Sequence, residues 1–127
     1  MNKYQGKTII VYPDASGRSG STNATLSDIG LIEQAGYQVD APQANPAVRD
    51  RINAVNALLS HDRIKINTDK CENLTHAMET QGYTVKGDPE KYNQHPAIDD
   101  WVDNAGYFLN RKYPVRKPAM DLGIRFK

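Results

Sequence analysis

The apolar residues of the chain occur in short β-type runs that alternate with longer stretches of helical spacing. The clearest run is TIIVYP at 8–13, which predicts a strand buried on both faces, as in a parallel sheet covered by helices. Shorter strands are predicted at 37–41 and at 63–67, where RIKIN alternates apolar and polar residues. The polar stretch 82–93 is predicted to be irregular, with a short extended piece at 83–85.

Helical signals occupy most of the chain between these runs. Ser27 has the chemistry of a helix start, and Gly36 has that of a helix end. Thr68 and Asp69 predict a similar capped start for a later helix. The predicted helices span 27–35, 46–60, 68–81 and 96–111.

Two of these helices have a clear apolar side. In the first, Ile29, Leu31 and Ile32 form the expected buried side. The second has the most regular pattern, and Arg49 and Arg51 are predicted to project from its sides. Its apolar stripe comprises Val48, Ile52, Val55, Leu58 and Leu59.

The alternation of strands and helices predicts an α/β fold with parallel strands joined by crossover helices. In open parallel sheets, ligands collect beyond the carboxyl ends of the strands. Asp14 follows the run at 8–13 directly, so it is predicted to lie at that edge. The alternative is that Asp14 only opens a turn with Ala-Ser-Gly.

The last predicted helix concentrates the candidate chemistry. Asp99, Asp103 and Tyr107 recur every four residues and therefore share one face. Asp100 lies on the flank of that face, and His95 lies just before the first turn. Carboxylates this close repel one another unless a cation, a basic side chain or water neutralises them. A hard divalent cation held by oxygen ligands is one hypothesis.

The other hypothesis is that the first two acids only complement the helix dipole. Such an interaction contributes about 0.3–1 kcal/mol per acid and is confined to the first turn. It suffices for Asp99 and Asp100. It does not explain Asp103, which falls beyond that turn.

Composition restricts the class of protein. A chain of 127 residues with net charge +1 is predicted to be one domain and is not a polybasic nucleic-acid binder as a whole. Its last part is basic, which indicates either a segment that follows a phosphate backbone or a solvated terminus. The single Cys71 excludes an internal disulfide and is predicted to be packed in its helix. With no apolar run of membrane-spanning or signal-peptide type, we expect a soluble, intracellular protein.

The loop GRSGST at 17–22 is similar to a phosphate-binding loop but fails the Walker A pattern, because no lysine stands before Thr22. Arg18 and the loop hydroxyls remain candidates for phosphate contacts. An ordinary mobile loop is the favoured interpretation. His61 and His76 lack acid partners at ligand spacing and are interpreted as incidental.

Four stretches together resemble the C-terminal nuclease domain of the large subunit of tailed-phage terminases, which has an RNase H-like fold. These stretches extend over about 8–110, and their order and spacing are more specific than any single motif. They are IIVYPDASG with its following loop, VRDRINAVNALL, RIKINTDKCENLTHAME, and the Asp-x-x-Gly-Tyr at 103–107.

The resemblance implies a metal-dependent endonuclease that cuts concatemeric viral DNA into packaged lengths. In that family two divalent metals, Mg²⁺ or Mn²⁺, are held by carboxylates and act on the phosphodiester. Asp14 resembles the acid that ends the fourth strand of the fold, and Asp103 resembles the acid of the final helix. Asp99, Asp100 and His95 are weaker candidates for metal ligands or proton handlers.

The resemblance also implies partners and surfaces. Double-stranded DNA, the terminase small subunit and the portal are the expected partners, in the cytoplasm of a bacterial host. The whole of 1–127 is expected to be one nuclease-like domain, with its core at about 7–112 and a basic tail at 113–127. Candidate contacts with DNA phosphates are Arg18, Arg49, Arg51, Arg111 and Lys112.

One departure from the family pattern changes the expectation of activity. The family's first catalytic acid lies on a strand that precedes IIVYPDASG, whereas this sequence starts only a few residues before that run. We therefore expect an incomplete metal site, weak or no cleavage in isolation, and an exposed sheet edge at 8–13 that favours self-association.

Two alternatives stay open at this point. One is a non-catalytic remnant of the same fold that binds DNA or packaging partners without cutting. The other is an unrelated small α/β protein that binds a phosphate ligand through the loop at 17–22.

Overall fold

A computed structural model describes residues 3–20, 26–93 and 97–116, and the statements below refer to these. Within them, two short strands and four α-helices alternate, with a 3₁₀ turn after the first strand. The elements are β1 (Ile10–Val11), the 3₁₀ turn (Ala15–Arg18), α1 (Asp28–Gln34), β2 (Gln38–Val39), α2 (Val48–Ser60), α3 (Glu72–Thr80) and α4 (Ile98–Lys112).

The sheet is parallel, as the sequence predicts. Ile10 lies opposite Gln38 and Val11 opposite Val39, and α1 makes the crossover between the two strands. The expectation that β1 is buried on both faces is wrong, because the Ile10 side chain is 44% exposed. Among the described elements α1 lies beside β2, whereas the Tyr12 ring, directly after β1, contacts the Phe108 ring of α4 with 5.1 Å between centroids.

The limits of α1 follow from its capping residues. Ser27 Oγ accepts a hydrogen bond from the Gly30 N–H at 3.1 Å, and Gly36 ends the helix with a φ of +90°. Only Ile29 is buried in this helix, whereas Leu31 is 50% exposed. The predicted apolar side of α1 is therefore only partly used, since its described neighbours are the 3₁₀ turn and β2 alone.

The core lies between the other helices. Helix α4 packs against both α2 and α3, and Val55, Leu58 and Leu109 form the buried cluster between them. Ile64 and Met78 close this cluster from its margin. Each fully buried aliphatic side chain contributes about 1.5–3 kcal/mol, so this half holds most of the hydrophobic stabilisation of the described chain.

Two predictions for the middle of the chain are wrong. The stretch at 63–67 is not a strand, although Ile64 and Ile66 alternate in burial as a strand would, because no described strand lies beside it. The next helix begins at Glu72, since the backbone N–H groups of Lys70 and Cys71 close a turn on Asn67 instead. The predicted capping at Thr68 and Asp69 is replaced by that turn, and the Cys71 side chain is exposed and not packed.

The long connection before α4 has little regular structure, as predicted. Its one described pairing is an isolated antiparallel bridge between Tyr83 and Pro89. In the described ranges, every helix is too short or too polar to cross a membrane.

Candidate active-site cleft

The end of β1 and the middle of α4 meet in one open cleft. The Tyr107 hydroxyl donates a hydrogen bond to Asp14 Oδ2 at 3.0 Å, which joins the two ends of the described chain. Asp103 and Asp100 line the same cleft as Asp14 and Tyr107, together with Trp101. The structure therefore brings together the acids that the sequence places at a strand end and on a helix face.

Asp14 is held by a set of hydrogen-bond donors. Its Oδ1 accepts from the Ser16 backbone N–H at 2.7 Å and from Asn45 Nδ2 at 2.6 Å, in addition to the Tyr107 bond on Oδ2. Partial burial raises the pKa of Asp14, but the donors from Ser16, Asn45 and Tyr107 outweigh it, so the pKa is lower than usual. Asp14 is thus a fixed, ionised carboxylate at neutral pH.

Tyr107 lies between Asp14 and Arg51 and contacts both. Burial, and then the hydrogen bond to Asp14, raise the pKa of the Tyr107 hydroxyl, which therefore stays a proton donor at neutral pH. The Arg51 guanidinium lies 4.3 Å from the centroid of the Tyr107 ring, in cation–π geometry. Tyr107 accordingly orients Asp14 from one side and covers Arg51 on the other.

Arg51 corrects a prediction from the sequence. It is 6% exposed and lies 3.1 Å from Asp103 Oδ1 through Nη1, so it faces α4 and is not free to contact DNA. Its Nε and Nη1 have no well-aligned hydrogen-bond acceptor in the described part of the chain, which makes the contact with Asp103 an ion pair. Position 51 shares a helical face with Val55 and Leu58, and this register was the signal for its burial.

Lys91 is the charged residue of this arrangement that sequence reasoning missed. Its Nζ lies 2.8 Å from Asp99 Oδ2 and 3.2 Å from Asp103 Oδ2, so one ammonium group bridges two carboxylates on successive turns of α4. The available signal was the repulsion of the two acids, which required a cation, and Lys91 lies in the connection that leads into the helix.

Asp99 is buried and depends on this bridge. Its hydrogen bond with Lys91 lowers the pKa of Asp99 against the opposite effect of burial, and the Tyr92 backbone N–H adds a bond at 3.3 Å. The hydrogen bond with Asp99 in turn raises the pKa of Lys91. The dipole interpretation of Asp99 is thus incomplete, because the acid also forms an ion pair.

Asp100 and His95 have different outcomes. Asp100 Oδ2 accepts a hydrogen bond from the Ala97 backbone N–H at 3.2 Å, which supports the interpretation of Asp100 as a helix-start residue, although it also lines the cleft. His95 lies outside the described residues. Its predicted role remains a prediction.

Whether these residues could hold a divalent metal depends on how many ligand side chains lie close together. Carboxylates are the right ligands for Mg²⁺ or Mn²⁺. Within 3–20, 26–93 and 97–116, however, no group of three or more His, Cys, Asp or Glu side chains is placed to hold a metal. At Asp103 the positive charge is already supplied by Arg51 and Lys91, so the described arrangement does not fit a two-metal centre as it stands.

Two of the other predicted DNA contacts hold backbone segments. The Arg18 guanidinium donates to the carbonyl oxygens of Pro42 and, at 3.0 Å, Ala41. Arg49 donates to the Lys86 carbonyl at 3.1 Å. These bonds give both arginines a role in fixing loops, and they engage the Arg18 guanidinium that was one candidate for phosphate contacts in the loop at 17–22.

The basic residues at the end of α4 lie beside the cleft. Arg111 lies 2.8 Å from Asp40 and lines a hollow that includes Tyr107, and the Lys112 ammonium lies 5.9 Å from the centroid of the Tyr12 ring. Both side chains are exposed. The predicted basic tail beyond 116 lies outside the described residues.

Comparison with known proteins identifies a family. A family model described as Terminase RNaseH-like domain matches residues 4–112, a range that includes Asp14, Asp103 and all the strands and helices described above. Neither the curated proteins nor the solved structures give a match. The family match confirms the resemblance found in the sequence motifs and, with it, the RNase H-like fold class.

Proposed function

Because the chain belongs to the terminase RNaseH-like domain family, we propose that it is the endonuclease domain of a phage or prophage terminase, cutting concatemeric DNA during genome packaging. The observation that carries this proposal is the meeting of Asp14 and Asp103 in one open cleft. The two acids come from opposite ends of the described chain and from different elements. A packed core alone does not require that arrangement.

Within this proposal Asp14 and Asp103 are the acids of the active site. Asp14 is ionised and fixed, and Tyr107 keeps its orientation. RNase H-like nucleases generally use divalent metals, which would supply the activated water and the charge neutralisation for phosphodiester cleavage. The proposal therefore requires further ligands from outside the described residues, or a rearrangement around Asp103.

The proposed DNA surface runs along the end of α4. Arg111 and Lys112 are exposed next to the hollow that adjoins the cleft, where they would neutralise phosphates. Arg18 and Arg49 are weaker candidates, since their guanidinium groups bind backbone carbonyls. The terminase small subunit and the portal are the other proposed partners, and the host cytoplasm is the proposed location.

Cleavage of supercoiled plasmid with Mg²⁺ or Mn²⁺ tests the proposal. We expect nicking and linearisation by the wild type and a loss of about 100-fold or more in Asp14→Asn and in Asp103→Asn. Asp69→Asn, an exposed acid in a turn outside the lining of the cleft, serves as the matched control. Cleavage that survives both cleft substitutions in folded protein would exclude this function.

A second function is favoured by a specific observation. Arg51 and Lys91 already neutralise Asp103, which suits a domain that keeps the fold and binds DNA or packaging partners without cutting. In that case DNA binding would be independent of metal, and no cleavage would occur at any metal concentration. Self-association through the edge of β1, which has no second partner strand among the described residues and where Ile10 is exposed, belongs to the same proposal.

A further inference from the structure

A cavity of about 100 Å³ lies between α2, α3, α4 and the connection that follows α3. Its walls are mostly apolar and include Ile52, Val55, Met78 and Val102. Tyr83 also lines it and is 49% exposed, so its ring lies at the rim. An apolar cavity of roughly 150 Å³ can hold benzene, so this one has the scale of a single six-membered ring.

Arg51 presents an unused hydrogen-bond donor to this cavity. Its side chain is 7% exposed and lines the cavity, and its Nε has no acceptor in the described part of the chain. Its charge is balanced, because Nη1 lies 3.1 Å from Asp103 Oδ1. A buried N–H group without an acceptor destabilises the protein, so an acceptor inside the cavity would be favourable.

Gln81 presents the opposite group. Its Nε2 donates to the Gly82 carbonyl at 2.8 Å and to the Glu90 carbonyl at 3.0 Å, which fixes the carboxamide and identifies its oxygen. Oε1 is buried and has no donor among the described residues, and Gln81 lines the same cavity as Arg51. The apolar walls thus contain one unused donor group and one unused acceptor group.

We propose that this cavity binds a small, neutral, planar ring in which a carbonyl stands beside an N–H, that is, a cyclic amide. The carbonyl accepts from Arg51 Nε, the N–H donates to Gln81 Oε1, and the ring carbons contact the apolar walls. The ligand is neutral because Asp103 already balances Arg51, so an anion would leave an uncompensated charge in a buried site. Water is the competing occupant, but apolar walls offer it few of the two to four partners that it needs.

Titration of 2-pyridone into the wild-type chain, followed by NMR with methyl-labelled methionine, tests the proposal. We expect a saturable shift of the Met78 methyl resonance, because Met78 lines the cavity, and a shift of the Arg51 Nε–H resonance through the new hydrogen bond. The indole resonance of Trp101, which lines the open cleft instead, should not move. A Met78 methyl that does not shift would mean a cavity filled by water only and would overturn the proposal.

Benzene separates recognition of the polar edge from simple filling of an apolar space. It has a ring of the same size but neither hydrogen-bonding group. We therefore expect it to bind at least about tenfold more weakly than 2-pyridone, since it leaves the Arg51 and Gln81 groups unpaired. Equal or tighter binding of benzene would overturn the assignment of a cyclic amide.

A pair of identical substitutions locates the binding. Val102→Phe places a ring in the cavity and should abolish the 2-pyridone response, whereas Val85→Phe, at an exposed position of the connection, should leave it unchanged. Binding that persists in folded Val102→Phe would contradict the proposed location. If overpacking prevents Val102→Phe from folding, the comparison of the two ligands on the wild type decides the proposal.

Thymine and uracil rings carry the same carbonyl and N–H edge, either as free bases or within a strand. Titration of uracil and of a short single strand of thymine nucleotides distinguishes these sources through the Met78 methyl. A shift with the strand would identify an unpaired base as the ligand, and a shift with uracil alone would identify a free small molecule. None of these readouts requires DNA cleavage, so their failure is distinguishable from failure of the nuclease proposal.

Discussion

The two halves of the molecule hold the two acids of the cleft, Asp14 and Asp103, by different means. Asp103 lies on the helical half, where Val55, Leu58 and Leu109 form a buried cluster and a buried arginine pairs with the acid. Asp14 lies on the sheet half, where Ile29 is the buried residue of α1 and large apolar side chains such as Ile10 are exposed. Hydrogen bonds fix Asp14, whereas packing and charge fix Asp103. The cleft therefore depends on a stable helical half that supports a weakly packed sheet half.

The largest expected effect is on the free energy of unfolding, when an apolar side chain is truncated in each half. Leu58→Ala should lower the free energy of unfolding by about 2–5 kcal/mol, because Leu58 is 3% exposed within the main cluster. Leu31→Ala, at a 50% exposed position of α1, should change it by no more than about 0.5 kcal/mol. Urea unfolding measures both. Similar losses in the two variants would contradict the proposed difference between the halves.

The next effect concerns the buried ion pair. Asp103→Asn should lower the free energy of unfolding by about 3 kcal/mol, because it leaves the buried Arg51 guanidinium without a counter-charge. The double variant Arg51→Met with Asp103→Leu should recover most of that loss, since no charge is then left unpaired. Urea unfolding of the single and double variants forms the test. A double variant no more stable than Asp103→Asn would contradict it.

A smaller effect is expected for the hydrogen bond between Tyr107 and Asp14, which is one of the contacts between the halves. Tyr107→Phe removes the hydroxyl that donates to Asp14 but keeps the ring beside Arg51, so the expected loss is about 1 kcal/mol. Tyr113→Phe, at an exposed position after α4, is the matched control. Chemical denaturation of both variants gives the comparison, and equal stabilities would mean that the bond to Asp14 contributes nothing.

The smallest effect concerns pH. Asp14 and Asp99 have pKa values below the ordinary 3.8, so the stability they contribute is present above that value and is lost as pH falls through their folded-state pKa values. The Lys91 pKa is raised above 10.5, so its contribution is full below that value and is lost as pH rises through the raised pKa.

Lys91→Met separates the two acids in this pH dependence. The pKa of Asp99 should return towards its ordinary value, because Lys91 is the main cause of its lowering, whereas Asp14 should be unaffected. The fall in stability below pH 4 should therefore become shallower but not vanish. Denaturant midpoints measured across the acid range test this, and an unchanged slope would contradict the assigned cause.

Features with a local cause could be predicted from the sequence. Ser27 and Gly36 carry their own capping chemistry, and the stripe through Val55 and Leu58 gave α2 to within two residues of its start. The position of Asp14 beside the last helix followed from the general rule that strand ends form the ligand edge of a parallel sheet.

Features that depend on distant partners were missed. The alternating residues at 63–67 form no strand, because a strand requires a neighbour that its own sequence does not encode. Arg51 was predicted to project from the side of α2, although its register with Val55 placed it in the interface with α4. Lys91 lies in an irregular segment whose course is set by tertiary hydrogen bonds. The domain limits and the metal-binding roles stay predictions.

The most direct test of the account is whether Asp14 and Asp103 act as one site. Trp101 is the single tryptophan and lines the cleft, so quenching of its fluorescence by paramagnetic Mn²⁺ reports binding there. We predict saturable quenching in the wild type, lost in both Asp14→Asn and Asp103→Asn and retained in Asp69→Asn. Quenching that disappears in Asp103→Asn but is unchanged in Asp14→Asn would place the two acids in separate sites and contradict the account.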